Sequence, residues 1–405
     1  MRQIYNVAIY ILSFLIKVSS LFNSKSKKLI NGQKTTLETL NKSYEGDFVW
    51  IHVASLGEFE QGKPLIESIS SGFPNQKILL SFFSPSGYEA RVDYKYVDKV
   101  IYLPFDTIKN ARLFVSNINL KAAIFIKYEF WFNYLEVLQR NSIPVFYVST
   151  VFRDGQVYFK NNWMKQVLKK VNHIFVQSEE AKLIGLASGI KNISVAGDTR
   201  LDSAITNSEK EFHCQEIESG LDHRKVVILG SAWEGDYKLI TSFIEKHTNK
   251  YQYIIAPHEL DEEKIKVFVS SIKVQVSFIS KSQNLKDVLI VDNIGLLKYI
   301  YRYADLVFIG GGYDKGIHNT LEPLVYSVPV LFGPKNYEKF PEAKYIDENG
   351  MGGVTLSKDF DGSLQLFLDS EELRNTVQKK AEFYINKNRG ATLKVMNKLH
   401  PLLES

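Results

Sequence analysis

Short runs of β-branched and aromatic residues alternate with helical patterns along most of this chain, and that alternation limits the fold more than any other feature. It is the signature of parallel βαβ units. Candidate strands in the first half are Phe48–Val53, Lys77–Phe82, Val100–Leu103, Ala122–Ile126, Val145–Val148 and His173–Val176. The second half repeats the scheme with Val226–Gly230, Tyr253–Ala256, Val288–Val291, Leu306–Gly310 and Val328–Phe332. The polar, charged stretch Asn207–Asp222 between the halves reads as an interdomain linker. A chain of 405 residues, 45% hydrophobic, can fill two cores. The expected fold is therefore α/β: two doubly wound Rossmann-like domains facing a cleft.

The N-terminus departs from this scheme. Ile4 to Phe22 is mostly apolar but interrupted by Asn6, Ser13, Lys17 and Ser19-Ser20, and Lys25, Lys27 and Lys28 come next. A spanning helix needs about 20 clean apolar residues, so a membrane-associated interfacial helix fits better. The region lacks an early basic segment and a small-residue cleavage site, and the trailing lysines favour a cytoplasmic location for the rest of the chain. A single cysteine, Cys214, rules out an internal disulfide and points to a reducing compartment. The formal charge of +5 comes without a basic stripe, so nucleic acid is not an expected partner.

Chemistry concentrates between Leu306 and Pro334. A buried strand leads into Gly310, Gly311 and Gly312, then His318-Asn319-Thr320-Leu321-Glu322-Pro323, a short helix, and a second strand closed by Gly333. A strand, a glycine loop and a helix start can aim backbone N–H groups at a phosphate, and Glu322 suits a grip on ribose hydroxyls. The same glycines would serve any tight βα turn, and His318 would equally serve as a structural histidine.

Ligands of such sheets bind beyond the carboxyl ends of the strands, which directs attention to the residues just after each one. The first strand is followed by Ser55, Gly57 and Glu58 at a helix start; Glu58 is either a base or a first-turn carboxylate favoured by the helix dipole. The second is followed by Ser84 and Ser86, whose hydroxyls could take a phosphate or form an ordinary Ser-Pro turn. Glu129 follows the fourth among aromatics that would raise its pKa. Further on come Gly197-Asp198-Thr199-Arg200-Leu201-Asp202, then Ser231 and Glu234, then His258. The one Asp-x-Asp, Asp359-Phe360-Asp361, reads as a solvated turn or cap. No metal and no cofactor are expected.

In their order, Ser-x-Gly-Glu, Tyr-Glu-x-Trp, Gly-Asp-Thr-Arg-x-Asp, Gly-Ser-x-x-Glu, Pro-His and Gly-Gly…His-Asn-x-Leu-Glu-Pro closely resemble the 3-deoxy-D-manno-octulosonic acid (Kdo) transferases of lipopolysaccharide assembly. The resemblance runs from the apolar N-terminus to about Gly353. It implies an inverting GT-B type glycosyltransferase that moves Kdo from CMP-Kdo to a lipid A precursor at the cytoplasmic face of the inner membrane. It implies Glu58 as the base, Glu129 as a second required carboxylate, and an acceptor-binding N-terminal and a CMP-sugar-binding C-terminal domain. Arg200, the glycine-loop amides and a helix start would stabilise the leaving phosphate. Departures occur at Pro257-His258-Glu259, where many members have arginine after the proline, and at Gly295-Leu296-Leu297, which lacks the usual glutamate.

The expected layout is an N-terminal membrane helix over 1–22, an acceptor domain over 23–206, a CMP-sugar domain over 207–384 and a C-terminal helical segment over 385–405 packing back on the first domain. Two other classes share parts of the pattern: a glycosyltransferase or epimerase using a UDP-sugar, and a catalytically silent membrane-associated binding protein.

Overall fold

A computed structural model describes residues 1–40 and 44–404. They form two compact units, Met1–Asp202 with Arg389–Ser405, and Ser203–Asn388. Unit 1 is built on strands β1 (Tyr44–Val53), β2 (Lys77–Phe82), β3 (Lys99–Tyr102), β4 (Ile118–Ile126), β5 (Val145–Thr150), β6 (His173–Val176) and β7 (Ile193–Val195). They make one sheet in the order β3-β2-β1-β4-β5-β6-β7, with parallel pairing throughout. From Phe48 onward every residue of β1 is buried, as expected for a central strand covered on both faces. Phe48 and Trp50 enter one core layer with Phe114, Phe125, Tyr134 and Tyr147. Val49, Ile51 and Val53 enter the other, with Phe59, Ile66 and Val395.

The helices that matter for function are α1 (Arg2–Ser19), α2 (Ser24–Leu40), α3 (Leu56–Gly72), α4 (Pro85–Arg91), α5 (Ile108–Asn117) and α6 (Phe132–Arg140). The C-terminal helix Ala391–Glu404 packs against α3. Its start is held by Asp202, whose two carboxylate oxygens accept from the amides of Gly390 at 2.7 Å and Thr392 at 2.6 Å.

The apolar N-terminus is expected from sequence to stand outside the core; instead, one face of α1 is part of it. Ile9 and Ser13 are buried, and Tyr5 stacks edge-on against Phe132, centroids 5.5 Å apart. The opposite face presents Ile4, Val7, Ile11, Phe14, Leu15 and Val18 to the outside at helical spacing, with Leu21 and Phe22 beyond. Among the described residues no single helix is long and apolar enough to cross a membrane; α1 and α2 pass such a test only as a pair bent by 119°.

Unit 2 contains β8 (Lys225–Ala232), β9 (Tyr251–Pro257), β10 (Val276–Phe278), β11 (Val288–Ile290), β12 (Leu306–Ile309), β13 (Val330–Phe332) and β14 (Gly352–Val354), in the order β10-β11-β9-β8-β12-β13-β14. β13 starts two residues later than its apolar run, because Pro329 has no N–H to give the ladder and only its carbonyl is used, by Val307. The polar stretch Asn207–Asp222 is not a free linker. Helix Thr199–Glu209 runs into it, Cys214 and Ile217 are buried, and the Leu285 amide donates to the Glu216 carbonyl at 2.7 Å.

Candidate functional site

Each sheet reverses its winding once, and doubly wound sheets bind ligands at that point. In unit 1 the reversal lies between β1 and β4, so the loops after these strands are neighbours. The β1 loop carries Ser55, which caps α3, and Glu58 in the first turn. Glu58 Oε2 accepts from the amides of Ala54 at 2.8 Å and Ser55 at 3.0 Å. The helix-cap reading of Glu58 is thus realised, yet it uses one carboxylate oxygen. At Gly57 a Cβ would meet only Ser55 Oγ at 3.9 Å, so the approach stays open. Burial pushes the Glu58 carboxyl up, opposed by the Lys127 charge and the capping amides.

The β4 loop carries the second carboxyl. Lys127 adopts a left-handed φ of 70°, unusual for a side chain of this size, and is fixed there by its amide donating to Val148 O and its carbonyl accepting from Thr150 Oγ1, both at 2.8 Å. Glu129 is pushed up to about 8, first by burial and then by the charge of Glu58, with Lys127 pulling the other way. Two carboxyls coupled around one ammonium divide their labour: at pH 7 Glu129 keeps its proton while Glu58 is the one to ionise.

Beneath the loop lies a polar chain that sequence patterns do not disclose. Trp131 Nε1 donates to His52 Nε2 at 2.9 Å, so the other imidazole nitrogen holds the proton that reaches Ser81 Oγ at 2.8 Å. Trp50 Nε1 donates to the same hydroxyl. Burial lowers the His52 pKa to about 3, which keeps the ring neutral as this arrangement requires. Ser84 and Ser86 hydrogen-bond each other at 2.8 Å, and the Ser84 amide donates to Ala54 O, bringing the β2 loop against the β1 loop.

In unit 2 the reversal lies between β8 and β12. The side chain of Trp233, just after β8, stacks on His258 at 4.6 Å, and His258 stacks on His318 at 4.2 Å. Trp233 Nε1 donates to His318 Nε2 at 2.7 Å, and Lys315 Nζ lies 4.1 Å from the indole centroid. Burial and the neighbouring His258 pull His318 down to about 4, and burial also lowers His258, so the stack is neutral at pH 7.

The glycine loop differs from its expected role. The Gly310 amide donates to Gly230 O and the Gly311 amide to Asp236 Oδ2, both at 2.8 Å, so neither is directed at a phosphate. Gly312 is a glycine because a Cβ there would lie 2.5 Å from the Gly333 backbone. Asp236 also accepts from Trp233 N at 2.8 Å and so ties the β8 loop to the glycine loop. Burial raises its carboxyl to about 6. It lies three residues after Trp233, in the first turn of helix Glu234–His247.

The other expected contributors scatter. Arg200, expected beside the leaving phosphate, lies in unit 1, where Asp198 holds its guanidinium at 2.6 Å. Glu234 is exposed and pairs with Lys264 at 3.1 Å. Ser231, at φ 54°, lies within β8 where its ladder with β9 shifts register between Leu229 and Ala232. Asn319 Oδ1 accepts from Leu321 N at 3.1 Å just before the short helix Leu321–Leu324, and Glu322 in that helix is half-buried beside Tyr301 and Tyr326. Asp361 sits in the first turn of helix Phe360–Asp369 and pairs with Lys246 at 2.8 Å.

Residues 24–203, nearly the whole leading segment of unit 1, match the family profile described as 3-deoxy-D-manno-octulosonic-acid transferase (kdotransferase). A 3-deoxy-D-manno-octulosonic acid transferase from Haemophilus influenzae is 25% identical over 379 residues, covering 88% of this chain and 87% of its own length. The chain is thus similar to Kdo transferases over most of its length. These Kdo transferase homologues indicate a glycosyltransferase. A bifunctional glycosyltransferase/methyltransferase from Fusobacterium nucleatum is 27% identical over 347 residues, covering 81% of this chain, which spans about half of that protein, 53%. Among solved structures, a glycosyltransferase from Rickettsia africae superposes with a TM-score of 0.58 at 10% identity, over 89% of this chain and 99% of its own; that likeness concerns the fold alone.

Proposed function

We propose that this chain is a Kdo transferase that moves Kdo from CMP-Kdo to the hydroxyl of a lipid A precursor, with inversion, at the cytoplasmic face of the inner membrane. The observation that carries the reading is the Glu58–Glu129 pair at the β1/β4 reversal. Glu58 accepts the proton of the acceptor hydroxyl as its oxygen bonds to the anomeric carbon, and the bond from that carbon to the CMP phosphate breaks with its electron pair going to phosphate. Glu129, still protonated, keeps a second negative charge away from the base. The neutral Trp233–His258–His318 stack offers a surface for the cytosine ring, and Lys315 a nearby positive charge. The apolar outer face of α1, with Lys25, Lys27 and Lys28 just beyond it, supports contact with an anionic bilayer surface.

Incubating the chain with CMP-Kdo and a lipid A precursor should release CMP and add one or more Kdo masses to the lipid. Transfer from a UDP-sugar in place of CMP-Kdo would overturn the donor assignment, and CMP release without a heavier lipid would overturn the acceptor.

A further inference from the structure

The described contacts of α1 lead into the turn that holds Glu129. Tyr5 OH donates to Asp106 Oδ2 at 2.5 Å. Asp106 is fully buried in the loop between β3 and α5, and its carboxylate caps the first turn of α6, accepting from Asn133 N at 3.0 Å and Tyr134 N at 2.9 Å. The Asp106 carbonyl accepts from Asn133 Nδ2 at 2.6 Å, and the same side-chain amide donates to Asn6 Oδ1 at 2.9 Å. Arg2 pairs with Glu136 one turn further along α6. The segment entering α6 is Glu129-Phe130-Trp131, so whatever fixes the first turn of α6 fixes the carboxyl-bearing turn from its C-terminal side. The His52 chain fixes it from below through Trp131.

We propose that Tyr5 and Asp106 are positioning residues for Glu129, through which the helix with the apolar outer face is latched to the transfer site. The inference rests on Glu129 belonging to that site. An aspartate buried in this way is costly unless its acceptors are filled, and here α1 and α6 fill them together. The arrangement makes α1 part of the catalytic unit as well as a surface helix, and loosening the latch lets the turn drift by a fraction of an ångström, a scale on which rates change.

The test uses the full chain carrying Tyr5→Phe, which removes the hydroxyl and keeps the ring against Phe132 and Trp163. The Glu129 midpoint is tracked by ¹³C carboxyl NMR. The groups facing it are Glu58 and Lys127, with the phenols of Tyr128 and Tyr147. Water reaching a loosened turn relieves the burial, so the midpoint should fall below about 8, and kcat should drop roughly ten-fold with KM for CMP-Kdo unchanged. Asp106→Asn should give a larger change in the same direction. An unmoved midpoint in Tyr5→Phe overturns the latch, whatever its melting temperature. A moved midpoint in a chain that shows no Kdo transfer leaves the latch standing and sinks the functional reading instead.

Discussion

At the β1/β4 reversal of unit 1 two carboxyls are drawn out of water around one lysine; at the β8/β12 reversal of unit 2 an indole and two imidazoles are drawn out of water beside another. The strand orders differ on one side, where β11 is inserted between β10 and β9, but each sheet reverses beside the first strand of its unit, and the site loops arise there. What differs is the effect of burial. In unit 1 desolvation raises acids and so keeps a proton available at neutral pH. In unit 2 desolvation lowers histidines and so removes charge, leaving flat neutral rings. One kind of sheet reversal thereby yields a proton-handling site and a ring-binding site, the distinction coming from a few side chains per loop.

The comparison breaks most decisively at Glu58. Glu58→Gln should cut turnover by roughly 10²-fold or more while leaving CMP affinity, measured by calorimetry, unchanged. Near-normal turnover would remove the base from unit 1. A smaller effect is expected at the other site: His318→Ala takes away a stacked ring and the acceptor of Trp233, and should weaken CMP binding about ten-fold, within the ~1–3 kcal/mol of a base–aromatic stack. If this variant melts much lower while its folded fraction binds CMP normally, His318 is a structural histidine. The smallest effect is on stability. Because Glu129 binds its proton more tightly folded than unfolded, its contribution is present at low pH and is lost as pH rises from about 4.5 through about 8. Glu129→Gln should therefore lose less melting temperature than the parent between pH 5 and pH 8.5, with the gap opening above pH 6, beyond the range in which Asp106 and Asp236 titrate. Parallel curves would show that Glu129 is not desolvated.

Long apolar strands are legible because burial on both faces writes itself as continuous runs; Lys77–Phe82 and His173–Val176 fall where the pattern puts them. Ile193–Val195, Val276–Phe278 and Gly352–Val354 are not, being edge-side strands of three residues with no period to detect. The strand residue Gly352 is a glycine because the carbonyl oxygen of Val330 on the neighbouring strand would lie 2.2 Å from a Cβ, a constraint that sequence alone cannot distinguish from a loop's need for freedom. Glu58 and Glu129 can be found by looking just past the strands. His52 and Asp106 cannot, since their partners are Trp131 and Tyr5, 79 and 101 residues away. The glycine loop departs from its expected role for the same reason: Asp236, 75 residues before Gly311, takes its amide.

The grip of Asp202 on Gly390 and Thr392 has an architectural consequence. The two places where unit 1 is interrupted, after Asp202 and before Arg389, lie within reach of a single carboxylate. Unit 2 is thus a continuous insert whose point of departure and point of return on its host nearly coincide. A host so arranged can be closed by a linker of a few residues, and its guest can be exchanged for another continuous domain without rerouting any strand of the host sheet.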